Sequence, residues 1–313
     1  MTKIKTWVNS SSFENTVQKN ITRVKNLIMG ACMAIIIVGV CYIILSPIFG
    51  IISRSFMHPQ DLANPLIFLI PQNFTLQNIN YAIRHMHYWR TLAQTMGFAL
   101  GFSVLHVAVC SMVGYGFARF KFPGANILFA FVILTIVVPV HSYMVPMFIN
   151  FSFFLGTNVN LLNTYFALGL LTATGVGLRS GLYIYIFRQF FRGLPKEIEE
   201  AAFIDGAGPF YTYIKVMMPN AIPAIVTVFL FSFVWHYNDT FYTSLLMPNL
   251  NFLSTRLMGL GPTYSMMENV YSPALIQMVV FAGVMLAVVP ILTIYLFLQR
   301  YFVEGLERSG IVG

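Results

Sequence analysis

Five stretches of this chain, residues 26–53, 91–118, 122–178, 216–238 and 269–299, contain no Asp, Glu, Lys or Arg. Each is long enough for at least one bilayer crossing, which takes about 20 apolar residues. The composition agrees: 58% of residues are hydrophobic, 9% are charged and the mean hydropathy is +0.74, whereas a soluble domain carries about 25% charged residues. The chain is therefore expected to be an integral membrane protein.

The 122–178 stretch has room for two crossings, with turn chemistry near Asn150 to Asn163, where Gly156-Thr157-Asn158 and further asparagines fall. Six helices are expected, near 27–50, 92–116, 126–149, 162–187, 219–238 and 275–298, so both termini lie on one side. Arg54, Arg84, Arg90 and Arg256 fall on the far side, Arg179 falls within the membrane, and all other lysines and arginines share the side of the termini. That asymmetry makes the side of the termini cytoplasmic. The net charge of +8 is thus a topology signal and an attraction to anionic headgroups, not a mark of nucleic-acid binding.

Between the fourth and fifth spans lies a polar insert, Arg188 to Pro219. Pro195 suits the first turn of a helix, where its missing N–H costs nothing. Glu197, Glu199 and Glu200 sit where the positive end of the helix dipole favours acids. The helix continues through Ala201, Ala202 and Ile204, breaks at Gly206, and is followed by a second short helix from Pro209 carrying Phe210, Tyr213, Ile214 and Met217. Two short helices around an Asp-Gly corner would make a compact knob on the cytoplasmic side. A mere tether between spans would need no fixed spacing of Glu, Gly and Pro.

The pattern Glu200-Ala201-Ala202, Asp205-Gly206-Ala207, then Val216, Met218, Pro219 and Pro223 resembles the EAA loop of binding-protein-dependent ABC importer permeases, with Val216 and Met218 in place of the more usual Ile and Leu. The segment GYGFARFKFPG (114–124) and the tail LQRYFVEGLERSGIVG (298–313) resemble carbohydrate-type permeases, similar to the G subunit of maltose importers, although Glu304 and Glu307 depart from the usual tail. The likeness covers roughly residues 90 to 313. It implies an all-α integral membrane fold, the six-helix type I ABC importer transmembrane domain. The implied segments are a cytoplasmic tail (1–26), a first membrane helix with an external segment (27–90), a permease core (91–299, coupling loop 188–219) and a second cytoplasmic tail (300–313). The N-terminal apolar run reads as a retained anchor, not a removed signal peptide.

The resemblance further implies that Glu200, Ala201, Ala202, Asp205, Gly206, Ala207 and Pro219 serve coupling to a separate ATPase dimer. The implied partners also include a second homologous permease, an extracytoplasmic solute-binding protein and membrane lipid, with no nucleic acid. The chain itself needs no cofactor, ATP and Mg²⁺ belonging to the ATPase, and the setting is a bacterial cytoplasmic membrane. None of the seven lysines follows a glycine, so no phosphate-cradling G-x-x-x-x-G-K-[ST] loop is present.

Candidate pathway residues are Arg179, the one charge expected within the membrane, and Trp235, Tyr237, Asn238 and Asp239 in the run FSFVWHYND (231–239). Aromatic faces beside amide and carboxylate groups suit a sugar, with its C–H faces and hydroxyls. An isolated membrane charge is costly unless paired, wet or reaching for headgroups, and aromatic residues at a helix end also form interfacial belts.

Gly97 and Gly101 offer a close helix approach, Pro139 and Pro146 a kinked third span, and residues 76–86 a short external helix. His85 and His87 are badly spaced for a shared ligand, Asn73-Phe74-Thr75 fits a glycosylation sequon, and the outer segment 240–274 would face a delivery protein. Cys32, Cys41 and Cys110 read as small apolar packers. An ion-coupled carrier would place acids or histidines inside the bundle to hold its driving ion; no acid falls in an expected helix interior. No nucleophile, base and acid come together as an enzyme would require. The expectation is a sugar-importer permease without enzymatic activity; the rivals are a permease for another solute class such as peptides, or an ion-coupled secondary transporter.

Overall fold

The computed structural model describes the backbone of residues 2–64 and 70–310, with side chains described within 22–297, apart from 63 and 65–69, and at Gln299. Two units emerge, residues 1–74 and 75–313.

In the first unit, α1 (Thr2–Ser55) is continuous. Its Thr22–Ser55 part is long and apolar enough to cross a membrane, so the expected 1–26 tail is helical from Thr2 and runs straight into the span. Cys32 and Cys41 are exposed on it, which corrects their expected role as packers. The segment after α1 is closed by a clip. Met57 bridges Phe74, and the carboxylate of Asp61 accepts from the backbone N–H of Gln72 (3.0 Å) and of Asn73 (2.9 Å) and from Asn73 Nδ2 (2.6 Å).

The second unit opens with α2 (Gln77–Met86), where a short helix is expected, then α3 (Tyr88–Arg119), its central pillar. α4 (Ala125–Val137) and α5 (Met144–Ser152) follow, separated by a 101° bend at Pro139. Next come α6 (Tyr165–Ala173), α7 (Ser180–Gly193), α8 (Glu197–Ile204) and α9 (Pro209–Thr212). A π-helical turn (Tyr213–Met217) leads through α10 (Met218–Asn220) into α11 (Ile222–Asn238). α12 (Phe241–Leu246), α13 (Leu253–Met258) and α14 (Leu260–Glu268) then precede α15 (Pro273–Gly310). The 300–310 stretch of the expected tail is the end of α15; residues 311–313 lie outside the described part.

Among the described residues three helices could cross a membrane singly, or up to five if each bent pair counts as one. The fourth expected span, 162–187, is divided. Gly175 at φ +73° and Arg179 at φ +61° turn the chain between α6 and α7, a left-handed backbone that breaks a helix whatever its hydropathy.

α3 packs against α7 and α11 through Cys110, Tyr115, Tyr183, Phe187, Phe191 and Val228, all buried. The close approach is made at Gly114, where a Cβ would stand 2.6 Å from Phe187 Cβ. Gly97 and Gly101 have no neighbour within 4 Å of a virtual Cβ and border an open groove with Gln94, Phe98 and Tyr165. The close approach expected at Gly97 and Gly101 is therefore not made inside this chain; on α3 it is made at Gly114. α4 meets α7 at Gly181, whose Cβ would fall 2.8 Å from the Val132 carbonyl oxygen.

Candidate functional site

The insert folds as a knob on the end of the bundle. Asp205 ends α8, and Gly206 takes φ +83°. The N–H of Gly206 bonds to Phe203 O and that of Ala207 to Ala202 O, both at 3.0 Å, the paired closure by which a left-handed glycine satisfies the last carbonyls of a helix. Pro209 then starts α9 at a position where its missing N–H is no loss.

The knob is fastened to α3 by buried polar contacts. Glu199 accepts a hydrogen bond from the Tyr115 hydroxyl and pairs with Arg119 Nε at 3.2 Å. Arg119 Nη2 also donates to Leu194 O at 2.9 Å. On the other side of the knob the hydroxyls of Ser111 and Tyr213 lie 2.7 Å apart. Sequence reasoning put the three glutamates of α8 together in one dipole argument. The fold separates them: Glu199 is an internal anchor, while Glu197 and Glu200 face solvent. Tyr115 and Arg119, one helical turn apart on α3, were the missed signal for that anchor.

Of the expected coupling residues, Glu200, Ala201, Asp205, Gly206 and Pro219 are exposed and Ala207 is half-buried. Ala202 is buried, so it does not belong to the knob's outer face. That face is apolar. Ile204 is 86% exposed, Phe210 65% and Tyr211 59%, with Phe203 and Ile214 beside them. Contiguous exposed apolar surface rimmed by polar residues marks an interaction site.

At the other end of α7 and α11 a cavity of about 880 Å³ opens, walled by α4, the bend after it, the 176–182 turn and the 235–242 segment. Arg179 and Trp235 meet there, with Cζ 4.3 Å from the ring centroid. Asn238 and Asp239 also line the cavity, so four of the five expected pathway residues come together. Tyr237 does not. At about 100° per residue it points away from the side that Trp235 and Asn238 share, and its hydroxyl donates to Ala287 O at 2.8 Å. Asp239 is buried and accepts from the backbone N–H of Tyr242 (3.3 Å) and Thr243 (2.8 Å), capping the start of α12.

Behind the cavity runs a polar chain that sequence reasoning missed. His106 Nε2 lies 3.0 Å from Ser180 Oγ and His106 Nδ1 lies 3.1 Å from Ser232 Oγ. His106, Ser180 and Ser232 are all buried. The chain ties the first residue of α7 through α3 to α11, one turn before Trp235. A lone histidine in the middle of an apolar run, with serines on two other helices, was the only available signal.

Residues 110–308 match the family model described as binding-protein-dependent transport system inner membrane component. The arabinooligosaccharides transport system permease protein AraQ of Halalkalibacterium halodurans is 29% identical over 277 residues, covering 88% of this chain and 93% of that one. The sn-glycerol-3-phosphate transport system permease protein UgpE of Yersinia pestis is 27% identical over 290 residues, covering 89% and 95%. The fold is shared with a solved bacterial ABC transporter involved in the import of the acidic polysaccharide alginate, at a TM-score of 0.70 and 22% identity, over 88% of this chain and 96% of that one. The anchored knob, the broken spans and these matches lead to one conclusion: the chain belongs to the family of binding-protein-dependent transport system inner membrane components, with the type I ABC importer permease fold.

Proposed function

We propose that this chain is one half of the translocation pathway of an ATP-driven importer for a sugar or oligosaccharide. Its companions are a second, similar but non-identical permease, an ATPase dimer on the cytoplasmic side, where both termini lie, and a solute-binding protein outside. The observation that carries the reading is the rigidly fastened knob with an apolar crown of Phe203, Ile204, Phe210 and Tyr211. A surface of that kind fits a groove on a soluble motor and passes force to the bundle through Glu199, Tyr115 and Arg119. The named sugar transporters among the relatives support the solute class.

In the mechanism, closure of the ATPase dimer moves the knob, α3 and α7 turn with it, and the cavity at Arg179 opens to the outside. This is alternating access between two global states biased by nucleotide. ATP and Mg²⁺ belong to the motor; this chain supplies docking, leverage and a path.

Purification in mild detergent followed by mass spectrometry tests the reading. An ATP-binding subunit and a second permease should copurify, and a saccharide should be retained on the external binding protein. A chain that purifies alone, or with a peptide as the retained solute, would contradict it.

A further inference from the structure

We propose that the cavity at Arg179 receives an acidic group of the transported solute, a carboxylate or phosphate borne on a saccharide; this rests on the sugar-importer reading above. The argument begins with what Arg179 lacks. Its guanidinium sits 4.3 Å from the centroid of the Trp235 ring, and an aromatic face attracts a cation but offers it no acceptor. None of the ion pairs among the described residues involves it. The five N–H donors of arginine form a planar fork that fits carboxylate or phosphate oxygens two at a time.

The acid nearest in sequence along the cavity wall does not answer that charge. Asp239 is 8% exposed, and its two oxygens are engaged by the backbone N–H groups of Tyr242 and Thr243. The cavity therefore presents one cation whose hydrogen-bond donors are open, among apolar walls from α4, with Thr135, Tyr143, Asn238 and Tyr242 supplying groups for hydroxyls. A volume of about 880 Å³ falls within the span of about 300–1,000 Å³ usual for small-molecule sites. Arg179 is exposed to the cavity mouth and free to meet a solute, and a solute that brings its own anion supplies a counter-charge on entry and removes it on release.

The fork also has a fixed base. Arg179 holds a left-handed backbone at φ +61°, and the next residue, Ser180, is hydrogen-bonded to buried His106, which is bonded in turn to Ser232 on the Trp235 helix. The two residues that form the cation–ring pair are thus tied together from behind.

The test is direct binding to the membrane complex as it copurifies, reconstituted in nanodiscs, using labelled galacturonate, glucose 6-phosphate and glucose as separate probes. The expected result is at least tenfold tighter binding of galacturonate or glucose 6-phosphate than of glucose. The galacturonate and glucose 6-phosphate arms tell a carboxylate site from a phosphate site. Arg179→Gln should remove the preference, and Arg179→Lys should retain part of it. Equal or tighter binding of glucose, failure of both anions to bind, or an anion preference unchanged in Arg179→Gln would each overturn the proposal. A glucose preference would leave the sugar importer standing. Absence of any ATPase from the purified complex would instead strike the importer reading itself.

Discussion

Glu199 of α8 and Arg119 of α3 form an ion pair, Oε2 to Nε 3.2 Å, with side chains only 10% and 6% exposed. The knob is thus a rigid extension of the central helix of the bundle and not a loop hung between two spans. Removing one partner of a buried pair leaves the other charge unanswered, at a cost of about 3–5 kcal/mol. Glu199→Ala should lower the thermal midpoint of the detergent-solubilised complex and weaken substrate-stimulated ATPase. The double variant Glu199→Ala with Arg119→Met should recover part of the stability, and a double-mutant cycle with no coupling would show that the pair carries no load.

Gly206 is required for its backbone and not for its size. Nothing lies within 4 Å of a virtual Cβ there, yet φ is +83°. A β-branched side chain in that region costs about 1–3 kcal/mol, and it would open the corner between α8 and α9. Gly206→Val should abolish substrate-stimulated ATP hydrolysis while membrane insertion stays normal. Gly206→Asn, which tolerates the left-handed region, should keep most of the coupling. Equal coupling in the Val variant, read by ATPase assay in proteoliposomes, would contradict this role.

Tyr237 and Trp235 are two residues apart but face different surroundings. Tyr237→Phe deletes the hydroxyl bonded to Ala287 O and should cost about 0.5–1.5 kcal/mol of stability, with transport of solute unchanged. Trp235→Ala should instead release Arg179 and lower transport several-fold with little change in the thermal midpoint. Uptake assays and melting curves on the same preparations separate the two effects.

The clip between Asp61 and Asn73 gives a pH dependence with a definite sign. The backbone N–H of Asn73 holds the Asp61 carboxyl below its ordinary range against the opposing pull of burial, with the Asn73 side-chain amide and the Gln72 N–H assisting. A carboxylate depressed in the folded state contributes stability that is present above its unfolded pKa, about 3.9, and is lost as pH falls through the folded value. Hydrogen exchange at Gln72 and Asn73, expressed as protection factors, should be flat from pH 7 to about 4.5 and fall below that. Asp61→Asn should show low protection throughout; the same protection in both proteins would remove the clip's role.

Much of this was legible in the chain because it is written in strong local chemistry. The charge-free windows fix a membrane protein, Asp205-Gly206 fixes the corner of the knob, and the spacing from Glu200 to Pro219 points to the family. What escaped was partner choice across helices. Hydropathy cannot see that Gly175 and Arg179 turn the chain in the middle of an apolar stretch. A run of three glutamates does not reveal that only Glu199 meets Tyr115 and Arg119, residues more than seventy positions earlier. Helical periodicity would have set Tyr237 apart from Trp235, and grouping the run by proximity in sequence obscured it. The His106, Ser180 and Ser232 chain needs three helices to meet before it exists.

The central claim is that the knob's apolar crown is seated on a motor that this chain does not contain. A photo-crosslinking amino acid placed at Phe210, which is 65% exposed, tests it in intact membranes. The account predicts one dominant crosslinked partner, a nucleotide-binding subunit, with a yield that changes between ATP-bound and nucleotide-free states. A crown that crosslinks only to lipid or to nothing, in both states, would contradict it.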